Sequence, residues 1–278
     1  MNVVMDNFTY NGTLRSVTQV LYEDALVDSW VLTSSPASIV SVVAAYLVFV
    51  LYAGPKIMEK KKAFDLKLAM MPYNLIQVVY NFYLVAMLFT TDGALSYLMK
   101  HYCHPIDSRL NPLRLVLCTA MWHYTVLKFM DLVDTVFFVL RKKQDHVTFL
   151  HVYHHSAMAL FSWATLKYLR GEQAVLLGFM NALVHVVMYT YYFLAALGER
   201  VRRYLWWKRY LTTMQIGQFV IGVLYLSSLI LMRCDLPRIF TYVWASQILV
   251  FLALFINFYI KTYVRRPTTE QRVRGKTE

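Results

Sequence analysis

Charge is scarce in this chain. Asp, Glu, Lys and Arg supply only 16% of its 278 residues, against a hydrophobic share of 58%. Soluble domains carry about 25% charge, so the composition excludes an ordinary water-soluble globule and makes lipid the expected solvent. Cysteine is scarcer still, and three residues cannot build a disulfide scaffold. The stretch up to Trp30 lacks a basic region followed by an apolar one, so no cleaved signal peptide is expected. No internal repeat or low-complexity stretch stands out, and only the polar, unpatterned tail from Arg265 reads as disordered.

What the chain does have is long apolar stretches: Ser35–Ala53, Leu68–Thr90, Leu113–Leu140, Val147–Tyr168, Ala174–Leu197, Leu211–Met232 and Ile239–Tyr263. Each approaches or exceeds the roughly 20 residues that a helix needs to cross a bilayer. Their polar residues recur at helical rather than alternating spacing, which argues against a β-barrel. The expected fold is an all-α bundle of seven transmembrane helices in one domain, 35–263, preceded by an arm, 1–34, and followed by a tail, 264–278.

Acidic residues are outnumbered 28 to 16, and the basic ones are unevenly placed. Gly54–Lys67, Arg141–His146, Gly198–Arg209 and the tail from Lys261 carry more than twice as many Lys and Arg as the intervening loops. The positive-inside rule then predicts a lumenal N-terminus and a cytosolic C-terminus. Two sequons, at Asn7 and Asn11, fall in the lumenal arm. Cys103 and Cys234 fall in loops on the oxidising side and Cys118 inside a span, so one lumenal bridge is one reading and two unrelated thiols the other.

The chemistry concentrates in the middle spans. His151, His154 and His155 stand at i, i+3 and i+4 on one helical face. One span earlier come Lys128, Asp131, Asp134 and Thr135, and one span later Asn181, His185, Tyr189 and Tyr192, each set spaced for one face. Polar clusters at membrane depth are costly unless they face a cavity or find partners, so they mark a functional site by default.

Three readings of the histidines stand side by side: structural hydrogen bonding in a core, metal ligation, and direct participation in catalysis. Membrane di-iron enzymes use such boxes but require more histidine clusters than this chain shows. Its remaining histidines are His123, His146, His101 and His104, with no second HxxHH. Neutral imidazole is also a nucleophile at physiological pH and can take an acyl group from a thioester. The Lys128–Asp134 set has a structural reading as well, an ion-pair network holding helices together, but its short connection to the histidine helix favours the catalytic one. Thr212, Gln215 and Gln218, repeating every three residues, read as interhelical glue or as substrate contacts.

The run from Lys128 to Thr135, the box from His151 to His155, Asn181 through Tyr192, Trp206 to Thr212 with Gln215 and Gln218, and Asn257 to Tyr263 occur in an order that resembles the ELOVL family of very-long-chain fatty-acid elongases. The resemblance covers the chain from Gly54 to Tyr263. It implies a condensing enzyme of the endoplasmic reticulum, a 3-ketoacyl-CoA synthase joining acyl-CoA to malonyl-CoA, with no cofactor, no metal and no nucleic acid. His154 would take the acyl group, His151 and His155 would orient it, and His185 and Asn181 would stabilise the enolate or oxyanion. Lys128, Asp131 and Asp134 would support these from behind, and Thr135, Tyr189, Tyr192, Thr212, Gln215 and Gln218 would meet substrate. Arg141, Lys142, Lys143, Lys208, Arg209, Lys261, Arg265 and Arg266 are the candidates for the CoA phosphates, although positive-inside topology alone would place basic residues there.

Membrane lipids are implied surroundings, and a homodimer or the other elongation-cycle enzymes are compatible partners. One departure stands out: the family usually has Glu where this chain has Asp131, whose shorter reach predicts a repositioned or water-mediated partner. A di-iron desaturase or hydroxylase, and a seven-helix receptor, remain the rival readings. Near the end, Arg274 and Lys276 resemble a dilysine-type retrieval signal.

Overall fold

The computed structural model describes residues 25–103, 113–169, 172–234 and 238–265. All regular structure among the described residues is helical. Among them, eight main helices succeed one another: α1 (Pro36–Glu59), α2 (Lys67–Thr90), α3 (Arg114–Met130), α4 (Leu132–Leu140), α5 (Phe149–Ala164), α6 (Glu172–Ala196), α7 (Lys208–Leu231) and α8 (Arg238–Tyr259). Five helical stretches of the described residues are long and apolar enough to cross a membrane: α1, α2, Ala174–Ala196 within α6, α7, and Ile239–Val264, which extends α8 through a π-turn. The expected third span is instead two helices meeting at Asp131, and the expected fourth is α5 with a π-turn after it at Thr165–Leu169. As uninterrupted α-helices they run to 17 and 9 residues in the one stretch and 16 in the other, short of the roughly 20 that a crossing needs. The protein is a multi-pass helical membrane protein.

Local sequence explains the starts. Ser35 caps α1 by accepting a hydrogen bond from Ala37 N at 3.2 Å, with Pro36 in the first turn where its missing N–H costs nothing. Thr148, in extended conformation, likewise accepts from His151 N at 3.3 Å and so starts α5 just ahead of the histidines. Within α1 a π-turn, Phe49–Ala53, precedes Gly54-Pro55 and absorbs the register change around the proline. Gly54 is helical, and its need is space: a Cβ there would lie 2.7 Å from both Phe49 O and Val139 Cγ1. Its absence lets α1 press against α4.

Packing is inverted relative to a water-soluble protein. Leu68 and Leu231 are 88% and 81% exposed, and Val79, Phe82, Phe89 and Leu224 are also bare. In water such a surface would be an aggregation hazard; in lipid it is the favoured one. The interior, by contrast, holds Asn74, Gln77, Asn81, Lys128, Asp131, Asn181 and His185. α2 packs along α6, α7 along α8 and α3 against α5, which brings these side chains to one place. At one end, Cys103 and Cys234 form a disulfide with Cα atoms 4.7 Å apart, tying the segment after α2 to the one after α7. Cys118 is a buried thiol outside that bridge. Asn7, Asn11, Arg266, Arg274 and Lys276 lie outside the described residues.

Candidate active site

The α3–α4 break centres the site. Lys128, one turn before it, is 1% exposed and spends all three ammonium hydrogens: on Asp131 Oδ2 at 2.8 Å, Asn181 Oδ1 at 2.9 Å and His185 Nδ1 at 3.4 Å. An ammonium can only donate, so the Asn181 atom facing it is the carbonyl oxygen, and His185 Nδ1 is unprotonated. His185 therefore carries its hydrogen on Nε2. The Tyr124 ring lies 4.9 Å from Lys128 Nζ, and its hydroxyl donates to the same Asn181 oxygen at 3.0 Å. With that oxygen doubly occupied, the Asn181 Nδ2 hydrogens are the amide's remaining resource.

Asp131 reaches Lys128 directly, because at i and i+3 with Asp131 itself in helical conformation the two side chains share a face. Its other oxygen, Oδ1, accepts from Gln77 Nε2 at 3.0 Å and from the Tyr189 hydroxyl at 2.9 Å. Tyr189 is also 2.6 Å from Asp134 Oδ2. Thr135 points elsewhere, to the Tyr46 hydroxyl at 2.7 Å.

The histidines of α5 form a cluster beside this cage. The His151 and His155 rings are 4.2 Å apart by centroid, and His154 stands 5.5 Å from His155. His154 faces Phe251 at 4.8 Å and Phe255 at 5.8 Å, both on α8. It lines a cavity together with Asn181, Tyr124, Gln218, Phe219 and Ser162. A second, wholly apolar cavity, bounded by Leu84, Leu88, Ala94, Leu117 and Val175, shares Met121, Tyr124 and Gly178 with the first. His154 and Asn181 thus meet one space, and an apolar cavity adjoins it across Met121, Tyr124 and Gly178. Among the described residues no three His, Cys, Asp or Glu side chains converge as a metal-ligand set.

Other predicted contacts are dispersed. Of the α7 set only Gln218 lines the cavity; Gln215 donates to Met188 Sδ at 3.4 Å and Thr212 is buried in packing. Tyr192 is exposed, edge-on to Tyr189 at 5.9 Å. Among the basic candidates, Arg141 reaches Met70 Sδ at 3.2 Å, Lys142 donates to Glu59 O at 3.2 Å, and Arg209 Nε donates to the Tyr259 hydroxyl at 2.7 Å. Lys143, Lys208, Lys261 and Arg265 are exposed. The loop ahead of α5 feels this charge: burial first, then Lys208 and Lys143, hold the His146 imidazole below its ordinary value. Two basic loops therefore share one end of the bundle.

Gln77 and Tyr124 were not among the predicted site residues. Both had a signal available: Asn74, Gln77 and Asn81 form a polar stripe at helical spacing in an apolar helix, and Tyr124 sits four residues before Lys128 on the same face. Gln77 is fully buried and also donates to the Tyr73 hydroxyl at 3.0 Å.

The profile of the GNS1/SUR4 family, ELO, matches residues 31–271. The chain is similar to very long chain fatty acid elongase 4 of Macaca mulatta, 38% identical over 256 residues, covering 91% of this chain and 79% of that protein. Elongase 7 of Rattus norvegicus is 36% identical over 244 residues, covering 87% of this chain and 86% of its own length. Human elongase 4 is 37% identical over 240 residues, or 86% of this chain and 76% of that one. The matched region contains the Lys128 cage, the histidine helix and both cavities, and on that extent of similarity the protein belongs to the ELO (GNS1/SUR4) family.

Proposed function

We propose that this protein is a fatty-acid elongase that condenses a long- or very-long-chain acyl-CoA with malonyl-CoA, giving a 3-ketoacyl-CoA two carbons longer, CO₂ and CoA. The observation that carries the reading is that His154 and Asn181 wall one cavity and that an apolar cavity adjoins it across Met121, Tyr124 and Gly178. A thioester can meet the imidazole there while its hydrocarbon tail lies among Leu84, Leu88 and Leu117.

In the first half-reaction His154 attacks the thioester carbon, the C–S bond breaks, and the imidazole proton ends on the CoA sulfur. The acyl-imidazole waits in a water-poor site, which protects it from hydrolysis. Malonyl-CoA then loses CO₂, and the resulting enolate carbon takes the acyl group from His154. Asn181 Nδ2 and His185 Nε2–H are the donors suited to the developing negative oxygen, since Lys128 occupies the other end of each. His151 and His155 hold the His154 helix face, and Lys128 with Asp131 holds His185. The exposed basic loops at the same end, with Lys143 and Lys208, are suited to the CoA phosphates.

In this reading the broken α3–α4 stretch and α5 complete, with the five long helices, a seven-helix bundle whose basic loops face the cytosol from the endoplasmic reticulum. Purified protein incubated with malonyl-CoA and a panel of acyl-CoAs is expected to release 3-ketoacyl-CoA for some chain lengths. No product with any of them, or stoichiometric iron in the preparation, would count against condensation. A tag on the C-terminus should be reachable by antibody after permeabilising the plasma membrane alone; a protected tag overturns the topology.

A further inference from the structure

One phenol bridges two carboxylates in this cage. The Tyr189 oxygen lies 2.9 Å from Asp131 Oδ1 and 2.6 Å from Asp134 Oδ2, yet it has a single hydrogen. Two ionised carboxylates on one phenol would leave one contact as lone pair against lone pair. The charge count points the same way: among the described residues Lys128 is the one ammonium touching the cage, and it already neutralises Asp131. His185 is neutral at Nδ1, and His151 and His155 stand too close, at 4.2 Å, for both to be charged. Tyr73, Tyr46 and Tyr192, the other titratable groups around Asp134, bring no positive charge. A second proton therefore belongs between Asp134 and Tyr189, where an Asp134 O–H donates to Tyr189 and Tyr189 donates to Asp131.

The line also has a direction. Asp134 is half-buried on α4, within two turns of the basic Arg141–Lys143 loop. Tyr189, Asp131 and Lys128 are sealed at 0%, 2% and 1% exposure. From Asp131 the contacts continue through Lys128 to His185, whose Nδ1 is 3.7 Å from Asp131 Oδ2.

We propose that Asp134, Tyr189 and Asp131 form a proton input line, delivering through Lys128 and His185 the proton consumed in the second half-reaction. The proposal rests on the acyl-imidazole reading. In that chemistry the first half is proton-neutral. In the second, the malonyl C–C bond breaks to CO₂, a C–C bond forms to the acyl carbon, and the C–N bond to His154 breaks with its electron pair on nitrogen. That nitrogen needs one proton per turnover. His185 gives up its Nε2 hydrogen and Lys128 refills Nδ1; Tyr189 protonates Asp131 at Oδ1, the carboxyl turns to pass that proton to Lys128, and Asp134 refills Tyr189 and is recharged at the rim. Return of the Asp131 carboxyl with rotation of the Tyr189 hydroxyl and the His185 ring resets the line.

The test separates the two halves with full-length purified protein. Acyl-CoA alone loads the enzyme, malonyl-CoA is then added, and loss of the adduct is tracked by intact-protein mass spectrometry. Tyr189→Phe and Asp134→Asn are expected to load normally but discharge about tenfold or more slowly, as general acid–base losses run, and Asp134→Glu should recover most of the rate. Discharge at the wild-type rate in both variants, or equal slowing of loading and discharge as a structural defect would give, overturns the line. Wild type that never shows an adduct sinks the acyl-imidazole reading itself. The line falls with that reading, since its proton has no acyl-imidazole nitrogen to reach, whereas an adduct that forms and discharges normally in both variants overturns the line alone.

Discussion

His154→Ala is expected to lose both condensation and the acyl adduct, with turnover falling by roughly 10⁴-fold or more, the scale on which covalent enzymes suffer when their nucleophile is removed. The physical reason is specific to this position. His154 is the histidine of the α5 box that lines the cavity, while the buried His155 packs against His151. His155→Ala should accordingly slow the enzyme without preventing acylation, because it loosens the ring that His154 leans on and leaves the attacking nitrogen in place. Mass spectrometry after exposure to acyl-CoA alone separates the roles. An adduct that persists in His154→Ala and disappears in His185→Ala would transfer the nucleophile to α6.

Asp131→Asn should be the most damaging change outside the histidines. It leaves the Lys128 ammonium, almost wholly buried, without its counter-charge. Removing one partner of a buried ion pair costs about 3–5 kcal/mol, and the new amide must also face the Gln77 donor that the carboxylate accepted. Reduced thermal stability in detergent and a fall in turnover of about 100-fold, the upper range for residues that orient an active group, are expected together. Asp131→Glu keeps the charge and restores the family's usual residue, so it should remain active. Wild-type melting and turnover in Asp131→Asn would remove Asp131 from its supporting role.

Much of the site was legible because helical periodicity is a local property. Lys128 with Asp131, His151 with His154 and His155, and Asn181 with His185 and Tyr189 each share a face by spacing alone, and the short Arg141–Thr148 connection made α4 and α5 neighbours. Thr135 fell to the same logic applied too broadly: spacing placed it on the face of Asp131, but its hydroxyl meets Tyr46 on α1 instead. Gln215 and Gln218 differ in the same way, since three residues on a helix are enough to separate a cavity wall from a packing contact.

By itself, then, the sequence determined the solvent, the helical class and the chemical vocabulary. Those come from composition and from a period of 3.6 residues, and neither needs a partner helix. Only the tertiary structure decided which of those groups touch. That Gln77 completes Asp131, that Asn181 turns its oxygen to Lys128, and that Tyr189 stands between two carboxylates are distances across α2, α3, α4 and α6. They are set by how closely helices approach and at what rotation, which depends on every side chain packed between them.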